Sequence, residues 1–228
     1  AAGWRYIFAM NLPIGIFGTL WAHLRLRETA QTERHASFDY LGLCLFTTSL
    51  TSLLLVISLA TMAAIDNTEA AILYLISLVT FALFLYFEPR KSEPLLDMRL
   101  FKIRLFSAGN LSQLLYSLGF GALSLVVILY FQLIRGYDPL TAGLLFLPLD
   151  LAFMSIGPIS GRLSDRYGTR GFATLGMGVG AIGYVALAFL VTATTPLVQI
   201  EIILIIIGVG LGLFASPNIS SIMGSVPP

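Results

Sequence analysis

One carboxylate stands alone inside an apolar run, Asp150 in Leu147-Pro148-Leu149-Asp150-Leu151-Ala152-Phe153. It lies eight residues after Ala142, about 12 Å along a helix, which is close to the middle of a bilayer. Helical steps of three and four put Gly143, Leu147, Met154, Gly157 and Gly161 on its side. A carboxylate at that depth costs roughly 2.5–3.5 kcal/mol on insertion scales, so it normally faces a cavity and has a task. Two readings stay open. Asp150 couples a proton or binds a cation, or it is an inert carboxyl hydrogen-bonded between helices.

A second polar set, Asn110, Gln113, Ser117, Gly121 and Ser124, follows the same spacing and forms a stripe. Such a stripe suits a cavity wall that binds substrate, and equally a seam of interhelical hydrogen bonds worth about 0.6 kcal/mol each. Glu201 follows Leu197 by four residues, about 6 Å, and is expected to snorkel to an interface. Gly178-Val179-Gly180-Ala181-Ile182-Gly183 has the spacing of a dinucleotide fingerprint. It sits within an apolar run with neither the preceding strand nor the later acidic residue that the chemistry requires. Gly176 with Gly180, and Gly208 with Gly212, read instead as small-residue pairs for close helix packing. His23, His35 and Cys44 lack metal-ligand spacing, and one cysteine forbids an internal disulfide. No span pairs a nucleophile with a base. We therefore expect no enzyme, no metal and no cofactor.

The elements that must hold these residues follow from composition. Of 228 residues 57% are hydrophobic and only 11% charged, and mean hydropathy is +0.89. Soluble domains carry about 25% charge. A net charge of +1 offers no surface to nucleic acid. Seven stretches approach the roughly 20 apolar residues that cross a bilayer: 6–24, 41–62, 70–87, 106–134, 142–160, 172–191 and 197–216. The expected fold is all-α, a polytopic transmembrane helical bundle. The second and third spans are close enough in sequence to form a hairpin. Nothing alternates like an outer-membrane strand.

Eleven of the thirteen basic residues fall in three loops, 25–39, 88–105 and 161–171; the others are Arg5 and Arg135. The positive-inside bias makes those loops cytoplasmic. Residue 1 then lies outside and residue 228 inside, which suggests a piece of a longer protein.

The third loop, Gly161-Arg162-Leu163-Ser164-Asp165-Arg166-Tyr167-Gly168-Thr169-Arg170, resembles the signature cytoplasmic loop of the major facilitator superfamily. Thr169 departs from the basic residue usual there. Gly3-Trp4-Arg5-Tyr6-Ile7-Phe8, Asn11-Leu12-Pro13, Glu93-Pro94-Leu95-Leu96-Asp97, Tyr130-Phe131-Gln132, Ala142-Gly143-Leu144 and Ser216-Pro217-Asn218 resemble the fourteen-spanner drug:proton antiporter branch. The resemblance runs nearly end to end and makes the seven spans the sixth to the twelfth. It divides the chain into residues 1–38, the last span of an N-terminal bundle; 39–105, a linking hairpin; and 106–228, four spans of a C-terminal bundle. It implies multi-pass residence in the plasma membrane and proton-coupled export of small amphipathic compounds by alternating access. Export of a metabolite or siderophore is the alternative on this scaffold. The partners would be substrate, protons, lipid and the remaining spans. Of its residues, Asp165, Arg166 and Arg170 would make the charged contacts that hold one access state, while Gly161 lets a neighbouring helix approach and Gly168 allows the tight turn. Asp150 is not carried over by this resemblance, since a small residue is more usual there. A non-transporting seven-span receptor is the alternative from another class, suggested only by the span count; its retinal form fails, because Lys91 and Lys102 are the only lysines and both are in a loop.

Overall fold

A computed structural model describes residues 5–25, 38–62, 64–91 and 94–226, with side chains from residue 9 onward. Gly3, Trp4, Arg27, Arg34, His35 and Glu93 lie outside the described residues. Among the described residues seven α-helices follow one another: α1 (Arg5–Arg25), α2 (Tyr40–Thr61), α3 (Asn67–Phe87), α4 (Arg104–Leu129), α5 (Pro139–Tyr167), α6 (Thr169–Leu190) and α7 (Leu197–Met223). Among the described residues six stretches are long and apolar enough to cross a membrane: Tyr40–Thr61, Asn67–Arg90, Arg104–Ile134, Pro139–Tyr167, Thr169–Leu190 and Leu197–Met223. α1 has 21 residues and would extend about 31 Å. The chain is an all-α membrane bundle, folded as two compact units, residues 1–95 and 96–228.

In the first unit α2 and α3 form the expected hairpin. Ser49 Oγ donates to the Ser77 carbonyl and Ser77 Oγ to the Ser49 carbonyl, each at 3.0 Å. These are small polar residues that bring two backbones together in lipid. Asp66 opens α3 with a capping box, accepting from the Thr68 and Glu69 amides while Glu69 accepts from the Asp66 amide. At the other end Asp39 caps α2 through Gly42 N at 2.7 Å and pairs with Lys91 Nζ. That ion pair ties the start of α2 to a residue four positions beyond α3. The Lys91 ammonium, with the Gly42 amide, holds the Asp39 carboxyl below its ordinary value.

In the second unit α7 is the central element. Half of its most apolar stretch is buried, against 17% for α4, α5 and α6. Leu149 of α5, Leu123 and Val127 of α4, and Ile200, Leu204 and Ile207 of α7 form the core. The approach of α5 and α6 depends on missing side chains. A Cβ on Gly208 would lie 2.3 Å from the Leu149 carbonyl, and one on Gly210 2.4 Å from Gly180 N.

Two expectations about helix ends need correcting. The span expected over 142–160 is the middle of α5, which begins at Pro139 and ends at Tyr167. The loop expected over 161–171 is therefore helical on both sides of a single linking residue, Gly168, at φ 93°. Loss of apolarity marks where lipid ends, not where the helix ends. Nothing between Gly161 and Tyr167 breaks a helix until glycine takes a positive φ. Likewise α7 continues beyond Ser216 to Met223, carrying Pro217 inside it. At its C-terminal end α4 closes in a π-helical turn, Tyr130–Ile134.

Candidate functional site

α7 sorts the faces of its neighbours. On α5, Leu149 is fully buried, and its carbonyl meets Gly208. Asp150, one residue on, is turned about 100° from that contact. It is half-buried and forms no hydrogen bond or ion pair among the described residues. Gly143, with open space where a Cβ would be, and Met154, 68% exposed, share its side. Asp150 therefore lies on the margin between the packed face of α5 and its open face.

On α4 the edge toward α7 carries Gly109, Tyr116, Leu123 and Val127. Tyr116 stacks on Phe214 with ring centroids 5.2 Å apart. Steps of 100° place Asn110, Gln113, Ser117, Gly121 and Ser124 to one side of that edge. To the other side Gly119, Ala122, Val126 and Tyr130 line an apolar groove of about 480 Å³ shared with α6. Asn110 and Gln113 are half-buried and Ser117 exposed. Asn110 Nδ2 donates to the Phe106 carbonyl at 2.8 Å, and Ser124 Oγ to the Gly121 carbonyl at 3.0 Å.

Asn218 of α7, 5% exposed, holds one member of the stripe, Gln113. Its Nδ2 donates to the Gly109 carbonyl at 3.2 Å and to Gln113 Oε1 at 3.1 Å. Sequence reasoning placed it in a motif but gave it no task. The available signal was an amide set directly after a proline in an apolar helix.

The adjoining Ser216 reaches α5. A Cβ on Gly161 would lie 2.6 Å from Ser216 Oγ. The preceding residue, Ser160, fully buried, donates at 2.7 Å to the Gly212 carbonyl, one turn before Ser216 on α7. Residues 216–218 thus hold α4 and α5 against α7 at one end of the unit. The signature residues continue from there. Asp165, Arg166, Gly168 and Arg170 are exposed, and Asp165 makes no ion pair with Arg166 or Arg170. It occupies the last turn of α5.

The packing glycines are distributed unequally. Gly176 has no room for a Cβ, which would meet Phe214 N at 2.5 Å, whereas a Cβ on Gly180 meets nothing within 4 Å. Gly210 and Gly183, which the sequence did not mark as packing residues, are about as tight as Gly208 and Gly176, a Cβ on Gly183 lying 2.4 Å from the Ile207 side chain. Gly212 is close to Phe153 and Ile156 of α5.

At the opposite end of the unit Tyr130 Oη donates to the Thr192 carbonyl at 2.6 Å. Arg135 donates to the carbonyls of Ala193 at 2.6 Å and Thr195 at 3.0 Å. Asp138 caps α5, its carboxyl held below the ordinary value by the Thr141 hydroxyl and amides. Glu201 is half-buried in the second turn of α7.

Comparison with known proteins completes the picture. A sequence model described as Major Facilitator Superfamily matches residues 1–228. The riboflavin transporter RibZ of Clostridioides difficile (strain 630) is 34% identical over 228 residues, covering 99% of this chain and 48% of that protein. The multidrug resistance protein B homolog of Mycobacterium tuberculosis is 32% identical over 196 residues, 83% of this chain and 35% of that protein. The putative multidrug resistance protein MdtD of Escherichia coli is 29% identical over 196 residues, with 84% and 40% covered. The chain spans about half the length, or less, of these relatives.

Proposed function

The chain belongs to the major facilitator superfamily, and from that premise we propose that it is part of a proton-coupled exporter of amphipathic small molecules, drugs among them. It is a multi-pass protein of the plasma membrane. The match across residues 1–228 carries the reading, and the multidrug names of two relatives support its cargo. Asp150, on the margin of an open helix face, is the candidate for the proton and for cationic cargo. Asn110, Gln113 and Ser117 are candidates for contacts to substrate. Asp165, Arg166 and Arg170, at the end of α5 and the start of α6, are candidates for charged contacts that favour one access state over the other. Alternating access then arises from rocking of two helical bundles around a site between them.

The test is transport by the full-length protein in liposomes buffered to a lower pH inside than outside. Uptake of ethidium should run several-fold faster than without the gradient and collapse with a protonophore. Uptake indifferent to the gradient would remove proton coupling and leave facilitated transport. A second reading, in which the cargo is a metabolite, is favoured by the relative named as a riboflavin transporter. Riboflavin uptake that outpaces ethidium in the same liposomes would select it.

A further inference from the structure

We infer that Gln113, set in orientation by Asn218, and Asn110, set by the Phe106 carbonyl, form a donor–acceptor pair that reads the amide or imide edge of a small molecule. The inference rests on the transport reading and names a class of substrate for it. Side-chain amides are ambiguous unless their partners fix them, and here they are fixed. The Gly109 carbonyl can only accept, so the group of Asn218 facing it is the NH₂. The same nitrogen donates to Gln113, so Gln113 must turn its oxygen toward α7 and its Nε2 hydrogens away. Reversing Gln113 would set two NH₂ groups against each other. Asn110 is fixed independently, because its nitrogen donates to the Phe106 carbonyl and its Oδ1 is left as an acceptor.

Neither Gln113 Nε2 nor Asn110 Oδ1 has a partner among the described residues, and neither is sealed from access. The result is a donor at 113 and an acceptor at 110, three residues apart on one helix face, where side chains are neighbours. A planar amide or imide carries the complement on one edge, a carbonyl oxygen for Nε2 and an N–H for Oδ1. The flanking surface is apolar, with Leu114, about 40° round the helix from Asn110, exposed beside the pair, so the body of such a ligand would be a lipophilic ring. A site built to bond an N–H rejects the analogue that lacks it, because its own acceptor is then desolvated without a partner.

The experiment uses full-length protein in lipid nanodiscs and two fluorescent probes, naphthalimide and N-methylnaphthalimide, which differ in one N–H. The unsubstituted protein should bind naphthalimide at least tenfold more tightly. Asn110→Ala should erase the preference. Gln113→Glu keeps an oxygen for Asn218 but replaces the donor with a second acceptor, and should weaken naphthalimide at least tenfold. Melting temperature is followed in parallel and should stay within a few degrees. Equal binding of the two probes, binding of neither, or variants that shift both probes alike would overturn the assignment. Ethidium transport driven by the pH gradient is a separate readout, so the transport reading can stand while this one falls.

Discussion

Asp150 is the residue whose chemistry is most exposed to test. Its neighbour Leu149 is sealed against Gly208, so Asp150 can be altered with little effect on the α5–α7 seam. Asp150→Asn in the full-length protein should slow export of lipophilic cations more than of neutral substrates, because only the cation gains from a nearby negative charge. An equal loss for both cargo types would favour the inert carboxyl. Asn218 is different, being structural and orienting at once. Asn218→Ala removes two hydrogen bonds across α4 and α7 and should cost about 1–3 kcal/mol. This is readable as a lower midpoint in thermal unfolding. Asp39 gives a pH dependence. Its carboxyl is held below the ordinary value by Lys91, so the unfolded chain takes up the proton first as pH falls. The stabilisation is complete above the ordinary carboxylate range near pH 4 and is lost as pH drops through the lowered value. Asp39→Asn should remove that portion of the acid dependence of unfolding and leave the neutral-pH portion flat. Asp150 was legible because a lone charge in an apolar run stands out. The Asp39–Lys91 pair was not, since its members lie 52 residues apart in loops that read as independent.

At the scale of elements the sequence pattern located every described span, because about 20 apolar residues can hardly be anything else. It misplaced ends, because hydropathy reports the lipid boundary and helices continue into water until the backbone is broken. α5 shows this most clearly: its break is the positive φ of Gly168, not the first charged residue. The glycines show a second limit. A small-residue pair marks a helix as packable but not against what, and the contact was settled by the partner. Gly208 and Gly178 therefore separate. At Gly208 a methyl would lie 2.3 Å from the Leu149 carbonyl and 3.0 Å from Ala152, while Gly178 faces open space. Gly208→Ala should push α5 from α7 and lower thermal stability by about 1–3 kcal/mol, the usual range for an overpacked core. Gly178→Ala, on the same measurement, should be neutral or slightly stabilising. If both substitutions behave alike, the close α5–α7 approach is wrong.

The molecule as a whole is oriented by charge, and the second unit allows that orientation to be tested with few assumptions. α6 has 22 residues and extends about 33 Å, enough to carry its two ends to opposite sides of a hydrocarbon core. Its start adjoins Gly168 and the cluster Arg162, Arg166 and Arg170. Its end leads to the 191–196 turn, where the Ala193 carbonyl is held by Arg135. The basic end should be cytoplasmic. The same reasoning puts the node of Ser216, Pro217 and Asn218 near the cytoplasmic end of α7, so that the Asn110–Gln113 edge would be loaded from inside the cell, the side from which an exporter takes its cargo. With Cys44 replaced by serine, Tyr167→Cys and Ala193→Cys can be introduced singly into the full-length protein. Tyr167 is 79% exposed and Ala193 is exposed, so either thiol is open to reagent. A membrane-impermeant maleimide added to intact cells should label the cysteine at 193 and spare the one at 167 until the membrane is opened. Labelling at 167 from outside would invert the topology, and the polar edge of α4 would then open toward the exterior and serve uptake or release rather than loading.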